Sequence, residues 1–158
     1  MRAKTAKIRE TIPDERYKST RIAKLINRIM YDGKKSVAQR QVYTALDLLE
    51  KKMDRKATDI FDEVIDRIQP QMEVRSRRVG GAAYQVPMPV KGRRGISLAI
   101  RWLVDAARSR SNASYHSFSE KLVAEMEAAL NNEGGAIDKR NNAHRMADAN
   151  RAFAHFRW

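Results

Sequence analysis

The chain has 158 residues, no cysteine and a formal net charge of +13. This length fits one domain with its own hydrophobic core, and the lack of cysteine excludes disulfides and zinc–cysteine sites. So strong a positive charge predicts a polyanionic partner, either nucleic acid or an anionic membrane surface. No apolar run is long enough for a transmembrane helix, and no apolar stretch follows the basic N-terminus, so neither a membrane protein nor a secreted one is expected.

Residues 1 to 18 are basic, include Pro13 and show no periodicity. This pattern predicts an N-terminal arm that orders only against a partner, with a plain disordered tail as the alternative. A helical domain over residues 19 to 158 follows the arm. Four cations of the arm are candidate RNA-binding residues, namely Arg2, Lys4, Lys7 and Arg9.

Three amphipathic helices are predicted after the arm. The first has Ser19 or Thr20 as its N-cap and Asp32-Gly33 as its end, the second spans about Ser36 to Met53, and the third runs from Thr58 to a stop at Pro70. A basic stripe on the first helix continues into the next turn, and it is either an RNA-binding strip or an ordinary solvated face. Its cations are Arg21, Lys24, Arg28, Lys34 and Lys35.

Residues 73 to 90 alternate with a period of two around Gly80-Gly81 and predict a β-hairpin. Both glycines can take the positive φ that a two-residue type I′ turn requires. The turn fixes a register that pairs Val79 with Ala82, Arg77 with Tyr84, Arg75 with Val86, and Glu73 with Met88. One face then combines guanidinium groups with an aromatic ring, which suits phosphate contacts and stacking on an unpaired base; a solvated hairpin docked on helices is the alternative. The candidate residues are Arg75, Arg77, Arg78, Gly80, Gly81 and Tyr84.

A basic turn at residues 91 to 95 leads into an apolar helix from Ile96 to Ala107. Because this helix is apolar on most of its circumference, it is predicted to be the central one, with Trp102 buried. Its polar stripe of Arg101, Asp105 and Arg108 is either an ion-pair ladder or part of an RNA-facing strip. The candidate RNA-binding residues of this region are Lys91, Arg93, Arg94, Arg101, Arg108 and, in the loop after the helix, Arg110.

The last part of the chain is predicted to hold two further helices. Ser117 and Glu120 form a capping-box pattern that begins the fifth helix, Gly134-Gly135 ends it, and the sixth runs from Ala136 to about Ala149. Exposed aromatic side chains after it would form a sticky patch, so they either fold back or are covered by a partner. They are assigned to a partner surface made of Phe153, Phe156, Arg157 and Trp158.

The whole pattern predicts a mainly α fold, a single domain of about six helices with one protruding two-stranded β-hairpin. The sequence contains no metal-ligand spacing, nucleophile–base pattern or phosphate-binding glycine loop, so no enzyme activity, metal or cofactor is expected. A structural RNA-binding protein is the leading hypothesis, and a helical DNA-binding regulator is the alternative. The alternative is weaker because the positive charge lies on the arm and the hairpin rather than on one exposed helix.

Four sequence motifs make the chain similar to a known family. They are Asp32-Gly33-Lys34-Lys35-Ser36, the hairpin segment from Arg75 to Pro87, Arg101-Trp102-Leu103-Val104, and the terminal run from His144 to Trp158. In their length and order they resemble the bacterial-type small-subunit ribosomal proteins of the S-seven family, over nearly the whole chain. The resemblance adds His144 and Arg145 to the candidate RNA-binding residues.

The resemblance implies a structural constituent of the small ribosomal subunit. Such a protein is a primary binder of the three-prime major domain of the small subunit's ribosomal RNA, nucleates assembly of the subunit head and lies near the exit-site transfer RNA. The implied partners are the ribosomal RNA, the exit-site transfer RNA, the messenger RNA as a further candidate, and neighbouring ribosomal proteins of the head and platform. The implied location is the ribosome in the cytoplasm, with an organellar ribosome as the alternative, and no membrane is involved.

Overall fold

The computed structural model of the chain describes residues 10–157, and the fold is mainly α-helical with one two-stranded antiparallel sheet. This architecture confirms the fold class predicted from the sequence. In chain order the elements are α1 (Thr20–Ile29), α2 (Lys35–Met53), α3 (Ala57–Ile68), β1 (Met72–Val79), β2 (Ala82–Pro89), α4 (Gly92–Ser109), α5 (Phe118–Leu130), α6 (Gly135–Ala149) and a terminal 3-10 helix (Arg151–Phe156). Within the described part of the chain, every helix is too short or too polar to cross a bilayer.

Two serines begin helices as the sequence predicted. The Ser19 hydroxyl accepts a hydrogen bond from the Ile22 N–H at the start of α1, and the Ser117 hydroxyl accepts one from the Glu120 N–H at the start of α5. Such a cap satisfies one of the backbone donors that the first helical turn leaves unpaired. The Glu120 carboxylate accepts in turn from the His116 N–H (2.9 Å), and this hydrogen bond lowers the pKa of the carboxylate.

Two helix boundaries differ from the prediction, and glycines explain both. α4 begins at Gly92 instead of Ile96, so most of the predicted basic turn is helical. Gly95 is buried in this turn, and a Cβ there would lie 2.6 Å from Gln69 Nε2, so this glycine permits close packing and does not make a turn. α5 ends at Leu130, and Gly134 (φ +92°) is the N-cap of α6. The sequence had predicted that Gly134 ends α5.

The core lies around α4 and α5, which between them contact the other four α-helices. α4 is therefore central, as its apolar circumference predicted, and its Leu103 and Val104 are fully buried in the same cluster as Phe61 of α3. Trp102 was predicted to be buried, and this is wrong, because it is only half-buried at the edge of the core. It lines a groove with Leu98 of α4 and Met146 of α6, under the base of the hairpin. The hairpin and α6 cover this side of α4 only in part. Helical periodicity alone cannot predict such incomplete cover.

β1 and β2 pair in the predicted register. Arg77 lies opposite Tyr84 and Arg75 opposite Val86, and the two turn glycines have φ values of +58° and +90°. β1 packs on α6 and β2 on the terminal 3-10 helix, whereas the tip residues Gly80 and Gly81 are exposed. The hairpin is thus held at its base and open to solvent at its tip.

The last part of the predicted arm belongs to the folded domain. Asp14 is buried (5% exposed), and its carboxylate accepts hydrogen bonds from the backbone N–H groups of Arg16 and Tyr17 (both 3.1 Å) and from the Tyr43 hydroxyl of α2 (2.8 Å). Arg16 also pairs with Asp47 of α2 through both terminal nitrogens (3.0 and 2.7 Å). The expectation that the segment orders only against a partner is therefore wrong for residues 14 to 17, because they make specific contacts with α2. Residues 1 to 9 lie outside the described residues.

Candidate nucleic-acid interface

Three arginines of β1 approach the tip of the ribbon, and we call Arg75, Arg77 and Arg78 the hairpin arginines. Arg75 and Arg78 are exposed and Arg77 is half-buried. Strand alternation places Arg75 and Arg77 on one face and Arg78 on the other. The tip itself is the exposed pair Gly80-Gly81, where a Cβ would meet no described atom within 4 Å. Positive charge therefore reaches both faces of the ribbon next to a tip without side chains.

A buried carboxylate at the base of the hairpin holds two of the predicted RNA-binding residues. The Glu73 side chain is 10% exposed, and its Oε1 accepts from Arg75 Nε and lies 2.7 Å from Arg75 Nη2. Arg94 Nε of α4 donates to both Glu73 oxygens (2.8 and 2.6 Å). Both arginine side chains remain 50% exposed. The hairpin is thereby joined to the first turn of α4, and two guanidinium groups stay open to solvent beside each other.

The ring of Tyr84, predicted to stack on an unpaired base, packs against the chain's own C-terminal segment. Its centroid lies 5.3 Å from that of Phe153 and 5.1 Å from that of Phe156. Arg157 Nε donates to the Pro87 carbonyl of β2 (3.1 Å), so the terminal 3-10 helix is fixed to the hairpin. Of the two outcomes left open by the sequence, folding back is the one observed for Phe153 and Phe156, which are half-buried. Trp158 lies outside the described residues.

A cleft between α1 and α4 gathers four of the predicted RNA-binding cations. It has a volume of about 290 Å³, and its basic lining residues are Lys24 and Arg28 of α1 and Arg93 and Arg101 of α4. The remaining lining residues are Asn27, Ser97 and Ile100, so no described carboxylate lines the cleft. Lys91 is exposed just before α4 begins. Since helix packing brings these cations together from two separated segments, their clustering is a tertiary feature.

The predicted ion-pair ladder on α4 is not formed. Asp105 pairs with Arg28 of α1 (3.4 Å) and lies 3.8 Å from Lys139 Nζ of α6, instead of pairing with the arginines of its own helix. Arg108 donates to the Ile29 carbonyl (3.1 Å), and its guanidinium lies 4.2 Å from the centroid of the Tyr31 ring. Neighbouring helices thus supply closer partners than the next turn of α4 does.

Two further predicted RNA-binding arginines are held in ion pairs within the protein. Arg110 Nε lies 2.7 Å from Glu125 Oε2; the Glu125 side chain is 2% exposed and that of Arg110 only 23%. Glu125 also accepts from the Ala136 N–H (2.9 Å), so this pair connects α5 to the segments on both of its sides. Arg21 of α1 pairs with two aspartates of α3, Asp62 (3.1 Å) and Asp66 (3.3 Å). We therefore assign Arg110 to the fold, while Arg21 is shared between two exposed aspartates.

The turn between α1 and α2 combines exposed cations with an apolar groove. Lys34 and Lys35 are exposed, as expected of RNA-binding residues. Beside them lies a groove of about 420 Å³, lined mainly by apolar side chains that include Val37 and Phe118 and bordered by the exposed Tyr31. Sequence patterns do not reveal this groove, because its walls come from α1, α2, α4 and α5.

The remaining candidates lie at the two ends of the chain. His144 of α6 accepts a hydrogen bond at Nε2 from the Gln71 N–H (3.1 Å), which gives it a structural role at the start of β1. Arg145, next to it, is exposed. The four cations of the arm (Arg2, Lys4, Lys7 and Arg9) lie outside the described residues.

Two tyrosines at the contact between the N-terminal segment and α2 have raised pKa values. Burial is the largest cause that raises the pKa of Tyr17 and of Tyr43 to about 12, and Asp47 and Asp14 respectively reinforce the shift. Both phenols therefore stay protonated at neutral pH. Among residues 10–157 no group of three or more histidine, aspartate or glutamate side chains could hold a metal ion.

Comparison with known proteins identifies the family. Residues 1–151 match the family model described as Ribosomal protein S7p/S5e. The chain belongs to this family. It is 51% identical over 150 residues to small ribosomal subunit protein uS7 of Caldanaerobacter subterraneus subsp. tengcongensis, a match that covers 95% of this chain and 94% of that protein.

Other bacterial relatives of this S7 family member match over almost their full length. The protein of Paracoccus denitrificans is 48% identical over 157 residues, with 99% of both chains covered. That of Thermotoga neapolitana is 49% identical over 158 residues, with 100% of both chains covered. These matches confirm the resemblance found in the sequence motifs, and they show a ribosomal protein, not an enzyme.

Proposed function

We propose that this small-subunit ribosomal protein binds the three-prime major domain of the small subunit's ribosomal RNA through one continuous basic surface, and that this binding nucleates assembly of the subunit head. The surface joins the hairpin arginines to the α1–α4 cleft through the first turn of α4. In that turn Arg94 contacts the base of the hairpin and Arg93 lines the cleft. Membership of the S7 family makes the protein a structural constituent of the small subunit that binds ribosomal RNA.

The observation that carries the proposal is the lining of the α1–α4 cleft, to which no described carboxylate contributes. Three of its four cations, Lys24, Arg93 and Arg101, make no ion pair with any residue in the described range 10–157. Unpaired cations placed close together repel each other and raise the local potential, and a phosphate backbone relieves this repulsion while releasing its counterions. Arginine also matches phosphate geometry through its fork of N–H donors. The cleft is therefore suited to a nucleic-acid backbone.

We assign the projecting hairpin tip to contacts with the exit-site transfer RNA and the messenger RNA. Gly80-Gly81 adds no side chain at the tip, so a nucleic-acid backbone can approach the ribbon closely there. Arg77 and Arg78 flank this tip on opposite faces and provide phosphate contacts on both sides. Phe153 and Phe156 are only half-buried against Tyr84. We assign the surface that they leave open, together with Arg157 and Trp158, to contact with a neighbouring protein of the head or platform.

A helical DNA-binding regulator is not supported. The curated relatives are ribosomal proteins. In addition, the candidate cations lie on a hairpin and in a cleft between two helices, whereas a DNA regulator of the helix-turn-helix kind presents one helix to the major groove.

The proposal is tested by binding the purified protein to a transcript of the three-prime major domain at several salt concentrations. An equally long transcript of another ribosomal RNA domain serves as the competitor. The decisive variant replaces Lys24, Arg93 and Arg101 with alanine, and the matched control replaces Arg40, Lys51 and Lys56, which are exposed cations outside the basic surface. Both variants lose the same charge, so a difference between them reports position.

We expect the cleft variant to bind the three-prime transcript more weakly and to reduce the slope of log affinity against log salt by about one for each phosphate that the protein no longer neutralises. The control variant should keep most of the wild-type slope. Equal decreases in the two variants would mean that only total charge matters, and the assignment of the cleft would then be wrong.

A further inference from the structure

The arrangement around Glu73 differs from that of the buried ion pair between Glu125 and Arg110. In the pair of Glu125 with Arg110 both side chains are mostly buried, and that of Arg110 is only 23% exposed. Glu73 is similarly buried at 10% exposure, yet both of its partners, Arg75 and Arg94, are 50% exposed. One carboxylate is therefore used to hold two guanidinium groups that remain open to solvent.

The hydrogen-bond pattern leaves most donors of the two arginines available. Each guanidinium carries five N–H donors. Arg94 uses only its Nε toward Glu73, and its Nη1 and Nη2 donate to no group among residues 10–157. Arg75 uses Nε and Nη2 toward Glu73 Oε1, so its Nη1 is likewise without a partner in that range. The carboxylate fixes the inner edges of both groups, and the outer edges face solvent.

We propose that Glu73 is a positioning residue for RNA recognition, whose buried carboxylate holds Arg75 of the hairpin and Arg94 of α4 together as a pair for phosphate oxygens. This inference rests on the proposed RNA-binding function. It adds that the geometry of the two arginines, and not their charge alone, sets the affinity. It also means that an acidic residue favours the binding of a polyanion.

The physical reason is pre-organisation. A free arginine side chain has many rotamers, and binding RNA must immobilise it, which weakens the net affinity. Glu73 restricts both arginines before RNA arrives, because each is tied to the same buried carboxylate. The two tied arginines also come from different elements, so the contact fixes the hairpin relative to the α1–α4 cleft.

Charge alone predicts the opposite effect of removing Glu73. A carboxylate beside a phosphate backbone repels it, so replacement by a neutral residue of the same shape would strengthen RNA binding and steepen its salt dependence. If positioning dominates, the same replacement weakens binding although the net charge becomes more positive. The sign of the change therefore separates the two explanations.

The experiment measures binding of the wild-type protein and of Glu73→Gln to the three-prime major domain transcript. Glu133→Gln is the matched control, because it removes the same charge from an exposed carboxylate that pairs with no residue of the described range. We expect Glu73→Gln to weaken binding about fivefold, since two rotamer-rich side chains lose their restraint. Glu133→Gln should leave the affinity unchanged or slightly higher.

A second measurement repeats Glu73→Gln in a protein whose Arg75 and Arg94 are both alanine. The replacement should cause no further decrease in affinity there, because nothing is left to position. A fivefold decrease in that background would show that Glu73 acts through the fold and would overturn the inference. Wild-type affinity in the single variant would overturn it too, while leaving the proposed RNA binding intact. Failure of the wild-type protein to bind the transcript would instead remove the proposed function itself.

Circular dichroism and thermal unfolding show whether Glu73→Gln is folded. If it is not, Glu73→Asp replaces it, since aspartate keeps the charge and only shortens the reach by one methylene. Weaker RNA binding at this unchanged net charge supports positioning, and unchanged binding overturns it.

Discussion

The contacts of Asp14 predict that the N-terminal segment has two parts with different roles. Residues 14 to 17 are tied to α2, whereas the four cations between Arg2 and Arg9 precede this anchor. We therefore expect Asp14→Ala to destabilise the fold. Deletion of residues 2 to 9 should leave stability unchanged and lower the salt dependence of RNA binding, because it removes four cations and keeps the contacts of residues 14 to 17 with α2.

The magnitude follows from the three hydrogen bonds that the Asp14 carboxylate accepts. Two come from backbone N–H groups within the same turn, which water can replace in part. The third comes from the Tyr43 hydroxyl of α2 and ends on a buried carboxylate, so its removal costs about 1.5–3 kcal/mol. Together we expect about 2–3 kcal/mol for Asp14→Ala. For a chain of this size each kcal/mol lowers the unfolding temperature by about 2–4 °C, which gives a decrease of about 5–10 °C.

Thermal unfolding followed by circular dichroism measures this effect. Glu15→Ala is the control, because Glu15 is an exposed carboxylate next to Asp14 and makes no hydrogen bond within the described range. It should shift the unfolding temperature by less than about 2 °C, as surface substitutions usually do. If Asp14→Ala unfolds at the same temperature as the control, the contacts of Asp14 do not stabilise the fold. Residues 10 to 18 would then belong to the arm and not to the folded domain.

Three further outcomes are expected. Replacing the hairpin arginines with alanine should change stability by only about 0.5 kcal/mol per site while weakening RNA binding, measured by unfolding and by filter binding. Trp102→Ala should cost about 2 kcal/mol in the free energy of unfolding, less than the 3–5 kcal/mol of a fully buried tryptophan, because the side chain is half-buried. Stability should fall as the pH rises from 10 toward 12, since the pKa of Tyr17 and Tyr43 is about 12 in the fold and the unfolded chain releases these protons near pH 10.

Each of these has its own control. A destabilisation of more than about 2 kcal/mol in the hairpin variant would make the ribbon part of the core. Trp102→Phe should keep most of the wild-type stability, and an unfolded Trp102→Ala would contradict partial burial. In the alkaline range, Tyr17→Phe and Tyr43→Phe should each flatten the decline, and a decline equal to that of the wild-type protein would mean that these two phenols do not cause it.

Local patterns were enough to predict most elements of the fold. The register of the hairpin followed from the two turn glycines, because a two-residue turn leaves one pairing only. The serine caps of α1 and α5 followed from hydroxyl groups placed just before amphipathic stretches. The start of α4 was placed wrongly because Gly92 and Gly95 resemble a turn in sequence, and only the tertiary structure shows that the second glycine packs against the Gln69 side chain.

The sequence predicted the positive charge of the candidate surface, but it did not predict which residues of the protein its side chains contact. The basic character of the hairpin and of α1 was visible in the sequence, whereas the partners of Asp105, Arg110 and Tyr84 come from other elements of the fold. Sequence reasoning placed Arg21 and Arg110 among the RNA-binding candidates, although both are in ion pairs within the protein. It lacked the distances that decide which arginines are already paired.

The sequence by itself therefore determined the class of fold, the polyanionic partner and the family, because composition, periodicity and long motifs are properties of the chain order. Tertiary structure decided which cations remain free, since Glu125 takes up Arg110 while Lys24, Arg93 and Arg101 meet in a cleft that no described carboxylate lines. It also decided that Glu73 is shared by two exposed arginines. The physical reason is that pairing depends on separations of a few ångströms, and packing sets these separations between residues that lie far apart in sequence.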